Sequence, residues 1–340
     1  MQTSLSIDPV FLPSTTDTSV LLRRLRRSRS AADTFDALNE SDFNTAYDAL
    51  RILAAEMVER DELQQAVKTL EETASYISAL SSPAEGHILD LHAAIIQILT
   101  ALNIRLDDTA RAALTAAETL NLLAQEPRRK DIPFMQLLGC LLHDIAYLHS
   151  TRHEYRQAER EIEKSIKIFE RLARIDAQRY AAAHVMALNG ATAIYRNRVR
   201  QAELLAHYQA ATTAYLQMVN AGVGDAATRL VDSLRDEGDT LIRMGRHREA
   251  IQYYSRALKY LTKLESDFTL RQLQLSISLG EAMLSVSAMR DKGVHLLNTM
   301  LHKATKINAL DQHRRIVDAL YHAKSRSLDI LSLWHKIFPR

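Results

Sequence analysis

The sequence predicts an all-α protein built from a stack of repeated helix pairs. Three observations lead to this fold class. The 340 residues include six prolines, none between residues 134 and 338, so long helices can form there without an interior break. Ala, Leu, Glu, Arg and Gln dominate, and no alternating run typical of a strand is found. The starts of alternate helices recur about every 46 residues, near 61, 107, 154, 199, 247 and 291, which is typical of a solenoid.

The elements follow in order along the chain. Residues 1–18 are rich in Ser, Thr, Asp and Pro and are predicted to be a mobile N-terminal segment. A basic N-terminal helix is predicted over 19–40, and a helical-repeat array over 41–308. In the array, apolar residues recur every three or four positions, as in HREAIQYYSRALKYLTKL. Residues 309–340 are predicted to be a C-terminal capping helix, because solenoids need covered ends.

Composition restricts the function. The formal charge is only +2, from 43 basic and 41 acidic residues, so no global field indicates nucleic acid or an anionic membrane. A single cysteine, Cys140, excludes an internal disulfide and a cysteine-rich zinc site. The N-terminus lacks the pattern of a secretory signal, and the apolar stretch 93–104 is too short to span a bilayer. A cytoplasmic location without a transmembrane segment is therefore expected.

The clearest repeat is LRDEGDTLIRMGRHREAIQYYSRALKYL, at 234–261. Small residues and one aromatic residue recur there at fixed spacing, and Gly245 falls in the turn between the two helices. These residues are Gly238, Ala250, Tyr254 and Ala257. Two earlier segments repeat the spacing, at Ala146, Ala158, Ile162 and Ser165, and at Ala54, Ala66, Leu70 and Thr73.

This pattern resembles the tetratricopeptide repeat (TPR) over roughly residues 41–308. The period of about 46 exceeds the usual 34, so the helices are longer. Long-helix regulators such as the sensor domains of MalT-like proteins, Rap-type peptide-binding regulators and kinesin light chains are the nearer resemblance. It implies a right-handed superhelix of about six antiparallel pairs whose first helices line a concave groove. It also implies a non-catalytic module that binds a protein or peptide and needs no cofactor.

Mapping this register onto the chain predicts the residues of the groove. They are Asp232, Arg235, Asp239 and Arg243 from the clearest repeat, Arg51 from the first, and His143, Tyr147 and Thr151 from the third. Charges of both signs favour a partner with its own charge pattern. The carboxylate clamp of chaperone adaptors is not matched, since Asp239 stands where that clamp has Asn. A sensor part of a transcriptional or signalling regulator and a homo-oligomer remain open alternatives.

One stretch suggests chemistry. GCLLHDIAYLHS, at 139–150, resembles the metal-binding run of HD-type phosphohydrolases. The remaining ligands would come from His87 or His92 and from Asp176 or Asp232. The glycine–lysine loop that usually follows is missing, and the stretch fits the first helix of a repeat. In that interpretation His143 faces the groove and Asp144 faces water, so neither a metal nor a catalytic residue is predicted.

Two further features have structural interpretations. His149 and His153 have a zinc-compatible spacing, but residues 150–152 are predicted to form a turn between them. The arginines of LLRRLRRSRS, at 21–30, could contact acidic protein, a membrane or nucleic acid; these are Arg23, Arg24, Arg26, Arg27 and Arg29. The alternative is a solvated helix packed through its leucines. No aromatic residue lies among these arginines, so nucleic acid is not expected.

Overall fold

The computed structural model describes residues 5–8, 17–80, 86–125, 131–197, 201–222 and 226–337. These residues form helices throughout, with no strand among them. The α-helices are α1 Ser19–Leu25, α2 Ala31–Asn39, α3 Phe43–Glu59, α4 Leu63–Ser78, α5 Gly86–Arg105, α6 Thr109–Gln125, α7 Ile132–Thr151, α8 Tyr155–Ile175, α9 Ala177–Asn197, α10 Gln201–Asn220, α11 Ala226–Arg243, α12 His247–Leu264, α13 Leu270–Leu284, α14 Arg290–Lys306 and α15 Leu310–Ile337. The predicted all-α class is confirmed.

The chain forms two compact units. Unit 1 comprises Met1–Arg200 with Asn220–Val223, and unit 2 comprises Gln201–Val219 with Gly224–Arg340. In unit 1 the packed pairs are α3 with α4, α5 with α6, and α7 with α8, and α9 packs on α8. In unit 2 the pairs are α11 with α12 and α13 with α14, followed by α15. Helices begin within two residues of the predicted starts, as at Leu63, Tyr155 and His247.

The same turn closes the first helix of several pairs, which explains the regular spacing. One residue adopts left-handed backbone angles at each turn: Asp61, Asp107, His153 and Gly245. The amide of the residue that follows donates to a carbonyl five residues back, as from Arg246 to Leu241 at 2.8 Å. This is the Schellman arrangement, which satisfies carbonyls left open at a helix end. Gly245, with φ of +73°, therefore holds the predicted turn position.

Close helix approach in the clearest repeat depends on Gly238. A Cβ atom placed there would lie 2.5 Å from the ring of Tyr254, so only glycine lets α11 and α12 pack this closely. The other residues that share the repeat spacing are also buried, namely Ala54, Ala66, Leu70, Thr73, Ala146, Ala158, Ile162, Ser165, Ala250 and Ala257. The repeat register derived from the sequence is therefore the register of the core.

The N-terminal region differs from the prediction in two ways. The helix expected over 19–40 is interrupted, because the hydroxyl of Ser30 accepts from the amide of Asp33 and starts α2 as a separate helix. Within the segment 1–18 that is predicted to be mobile, residues 5–8 are packed against the protein, with Leu5, Ser6 and Ile7 buried in unit 1. Residues 1–4 and 9–16 lie outside the described part of the chain.

Two helices bear on the remaining predictions. By length and composition alone, α5 could cross a membrane. However, 83% of its most apolar 18-residue stretch is buried inside unit 1. The stretch 93–104, judged too short to span a bilayer, is thus part of a longer core helix. At the other end, α15 spans most of the predicted capping segment and buries Ile316 against α13 and α14.

Candidate functional site

A cluster of buried polar side chains lies in the middle of unit 1, where α3, α5 and α7 meet the N-terminal segment. We call Ser6, Tyr47, Arg51, Gln97 and Asp144 the buried polar cluster. Tyr47 donates to Gln97 Oε1 at 2.6 Å, and Gln97 Nε2 donates to Asp144 Oδ2 at 2.8 Å. The guanidinium of Arg51 stacks over the ring of Tyr47 at 5.5 Å. Such a connected network can be buried because its polar groups satisfy one another.

Burial perturbs the acid of this cluster. It raises the pKa of the Asp144 carboxyl, against the opposing effects of His143 and of hydrogen bonds from Ser6 and Gln97. A second buried carboxylate, Asp48, lies on the same helix as Arg51 and forms an ion pair of 2.8 Å with Arg179 of α9. The buried Asp48 carboxylate is therefore stabilised by its ion pair with Arg179 rather than by contact with water.

The predicted groove residues of unit 1 lie differently from expectation. Arg51 and His143 were predicted to face an open groove, but each is only 2% exposed. The N-terminal segment covers Arg51, and the ring of His143 lies against the backbone of Gly190 in α9. Asp144 was predicted to face water, but it is fully buried and accepts a hydrogen bond from the amide of Ser6.

Two of the predicted groove residues of α7 remain accessible. Tyr147 is half-buried and Thr151 is exposed at the helix end. The structure therefore does not bring Tyr147 and Thr151 together with Arg51 and His143 in one open surface.

Unit 2 carries the predicted charges on an accessible surface. Asp232, Arg235 and Asp239 are half-buried on α11. Arg235 pairs with Asp232 at 3.3 Å, and Arg271 of α13 donates to the same carboxylate at 2.8 Å. Neighbouring aspartates raise the pKa of Arg235 against the lowering effect of burial. The charges of α11 and α13 are thus interleaved.

The same surface continues into a pocket of about 310 Å³. Tyr254 donates to Asp239 at 2.6 Å on one wall. On the other wall, Arg315 of α15 forms a two-point ion pair with Glu281 of α13, with Nε to Oε1 at 2.8 Å, and also donates to Ser278 at 3.2 Å. We call the face that presents Asp232, Arg235, Asp239, Arg271, Glu281 and Arg315 the charged surface of unit 2.

Sequence reasoning found half of this surface. It missed Glu281, although Gly280–Glu281 repeats the Gly238–Asp239 step, and the glycine packs against Leu297 as Gly238 packs against Tyr254. It also missed Arg271 and Arg315, for which the sequence gives no local signal.

Arg243, by contrast, was expected in the groove. It lies exposed at the end of α11 and donates to Gln201 at 3.2 Å and Thr240 at 2.9 Å. Nothing places its guanidinium in the pocket described above.

The five arginines of the basic N-terminal patch are all exposed, while Leu21, Leu22 and Leu25 are buried as the structural interpretation predicts. Arg24 pairs with Glu40 at 2.7 Å, and Arg26 pairs with Glu56. These two pairs reduce the local positive charge. Surface pairs of this kind add little stability, so the patch remains available for contacts.

The metal-dependent alternatives lack a suitable donor set in the described residues. No three His, Cys, Asp or Glu side chains come together there as possible ligands. The turn near His153 falls at residues 152–154 rather than 150–152, because α7 runs to Thr151. His149 contacts Glu154 and His153 contacts the hydroxyl of Tyr155, so the two imidazoles have separate partners. Cys140 is free and buried, and burial raises the pKa of its thiol.

Comparison with known proteins finds similarity in structure only. No protein-family model matches the chain, and no curated protein matches its sequence. BtubC (BKLC) from P. vanneervenii is similar with a TM-score of 0.51 and 16% identity, over 72% of this chain and 92% of that one. A Signal Transduction ATPase with Numerous Domains (STAND) protein with a tetratricopeptide repeat sensor, from Pyrococcus horikoshii, is similar with a TM-score of 0.55 and 13% identity. That match covers 94% of this chain but 48% of the STAND protein. The chain therefore has a TPR-like helical-repeat fold.

Proposed function

We propose that the chain is a non-catalytic module that binds a protein or peptide segment on the charged surface of unit 2. The observation that carries the proposal is the open pocket lined by Asp239, Tyr254, Glu281 and Arg315. Within about 310 Å³ the pocket brings together the guanidinium of Arg315, the carboxylates of Asp239 and Glu281, and the phenol of Tyr254. A few convergent polar groups in a concavity are typical of a recognition site.

The chemistry of the pocket indicates what the partner presents. Arg315 is bound to Glu281 through two parallel contacts, a geometry that a carboxylate of a partner can replace. The side chains of the pair are 43% and 33% exposed, so exchanging one carboxylate for another costs little. Asp232 and Asp239 lie on the same face and favour basic side chains beside that carboxylate. The expected ligand is therefore an extended or helical segment with charges of both signs.

The place of such a module in a larger system is a finer proposal. The STAND neighbour carries a tetratricopeptide repeat sensor, which supports, by fold alone, a sensor part of a signalling or transcriptional regulator as the alternative. Self-association through the end helices and a cytoplasmic location stay predictions. Catalysis of the HD type has no supporting donor set in the described residues.

The test is a selection of random peptides on the immobilised full-length chain, followed by fluorescence anisotropy with the best binder. Replacing Arg315→Gln is expected to weaken that peptide by about tenfold or more, because a charge-assisted contact is lost. Arg174→Gln is the matched control, since Arg174 also pairs with a glutamate, Glu170 at 2.6 Å, but lies on α8 of unit 1.

Two results would contradict the proposal. One is a selection that enriches no peptide. The other is a selected peptide that binds the wild-type chain and both variants equally well. Circular dichroism on each variant establishes that its helix content and melting are those of the wild type.

A further inference from the structure

Residues 5–8 form a compact turn inside unit 1. The amide of Asp8 donates to the carbonyl of Leu5 at 3.0 Å. The amide of Leu5 donates in return to Asp8 Oδ2 at 2.9 Å. The four residues Leu-Ser-Ile-Asp thus close on themselves, so their shape does not depend on a flanking helix. These four residues therefore contact the rest of unit 1 as one compact turn.

Every polar atom of Ser6 is held by the buried polar cluster. Its amide donates to Asp144 Oδ1 at 3.0 Å and its hydroxyl donates to Asp144 Oδ2 at 2.6 Å. Gln97 Nε2 donates to the Ser6 hydroxyl at 2.8 Å, and Arg51 Nε donates to the Ser6 carbonyl at 3.0 Å. Main chain and side chain of one residue are therefore recognised together, from three different helices.

The neighbours of Ser6 are also specified. Leu5 and Ile7 are each 1% exposed, so both aliphatic side chains fill closed apolar space. The carboxylate of Asp8 forms an ion pair with Arg105 at the end of α5. The site thus selects an aliphatic residue, serine, a second aliphatic residue and an acidic residue, in that order. Its protein side chains come from α3, α5 and α7, the first helices of successive pairs.

We propose that unit 1 contains a peptide-recognition site which residues 5–8 fill as a resident occupant, and that a partner protein presenting the same aliphatic–Ser–aliphatic–Asp turn competes for it. The use of charge supports this. Burying Arg51 and Asp144 costs desolvation energy, and apolar side chains of similar volume would hold a merely structural segment at lower cost. The inference does not depend on the charged surface of unit 2.

The resident segment sets the conditions for detection. Because residues 5–8 belong to the same chain, their effective concentration at the site is high. The apparent affinity for an added peptide is therefore lowered in proportion to the small fraction of sites that are empty. Removing the occupant should therefore open the site. Ser6→Asp serves the same purpose in the full-length chain, since it places a second carboxylate against Asp144, and like charges at this distance repel.

The experiment uses a fluorescein-labelled peptide with the sequence of residues 2–10, QTSLSIDPV, in an anisotropy titration. It is expected to bind the chain lacking residues 1–8, and the Ser6→Asp chain, about tenfold or more tightly than the wild type. A peptide with alanine in place of Ser6 is expected to bind about tenfold more weakly, because Asp144 and Gln97 then lose the serine hydroxyl to which they are hydrogen-bonded. Ser78→Asp, at an exposed position of α4, is the matched control and should behave as the wild type.

No binding of QTSLSIDPV to a variant that retains native helix content and a cooperative melt would overturn the proposal. If both variants fail to fold, hydrogen exchange of the wild-type chain decides. The proposal expects the Ser6 amide to exchange through local opening, about a hundredfold faster than the amides in the middle of α5. Exchange of Ser6 at the rate of those core amides would show a permanent structural element and would also overturn it.

Discussion

The carboxyl group of Glu237 predicts a measurable pH dependence. It lies on α11 and is 1% exposed, and Thr212 of α10 donates a hydrogen bond to it. Burial raises its pKa to about 7, against the lowering effect of hydrogen bonds from Thr212 and Tyr253. An unfolded glutamate has a pKa of about 4.3. Between these two values the folded chain binds a proton that the unfolded chain has lost, so the free energy of unfolding falls as pH rises.

The magnitude follows from the size of this shift. Each pKa unit corresponds to about 1.36 kcal/mol, so the ionised carboxylate costs the folded state about 3–4 kcal/mol above pH 7. Glu237→Gln keeps the shape and removes the charge. The variant is therefore expected to be more stable than the wild type by about 3–4 kcal/mol near pH 8, and by only about 1 kcal/mol near pH 5.

Urea unfolding followed by circular dichroism, at several values between about pH 5 and 8, measures this difference. Glu249→Gln is the control, because Glu249 is exposed on α12 and its hydrogen bond from Arg246 lowers its pKa. Its effect should stay constant over the same range. A Glu237→Gln chain whose advantage does not grow with pH, or which is less stable near pH 8, would refute the reasoning.

Three further predictions concern the repeats and their packing. Gly238→Ala should destabilise the chain by about 1–2 kcal/mol in urea unfolding despite better helix propensity, because its Cβ would lie 2.5 Å from the Tyr254 ring; an unchanged midpoint contradicts this. Gly245→Ala, at φ of +73°, should cost about 1 kcal/mol by the same assay, and a stabilised variant would be the opposing result. Arg179→Ala removes the ion-pair partner of Asp48, whose side chain is 0% exposed, and should cost about 3 kcal/mol; a thermal melt like that of the wild type would argue against it.

The fold was predictable because its signals are local. Helix periodicity and the spacing of Gly238, Ala250 and Tyr254 lie within one repeat, and the turn at Gly245 lies between them. Each is set by residues a few positions apart, which is the range over which sequence patterns carry information.

The sites were less predictable because their contacts are distant in sequence. Leu-Ser-Ile-Asp is too short to show a period, and Ser6 meets Asp144 across 138 residues. The pairing of Arg315 with Glu281 likewise joins different helices. Such contacts arise only after the helices have packed, so a sequence register can place a residue on a helix face but cannot tell whether a distant segment covers it.

The proposed binding of a partner on the charged surface of unit 2 is open to a direct test. Photocrosslinking tests this binding site most directly. A selected peptide carries a photoreactive group beside its acidic residue, and mass spectrometry identifies the residues of the chain to which it crosslinks. Crosslinks should fall on α11, α13 and α15 near Arg315, and should be lost with Arg315→Gln but not with Arg174→Gln. Crosslinks confined to α12 and α14, or unchanged in the Arg315→Gln chain, would contradict the claim.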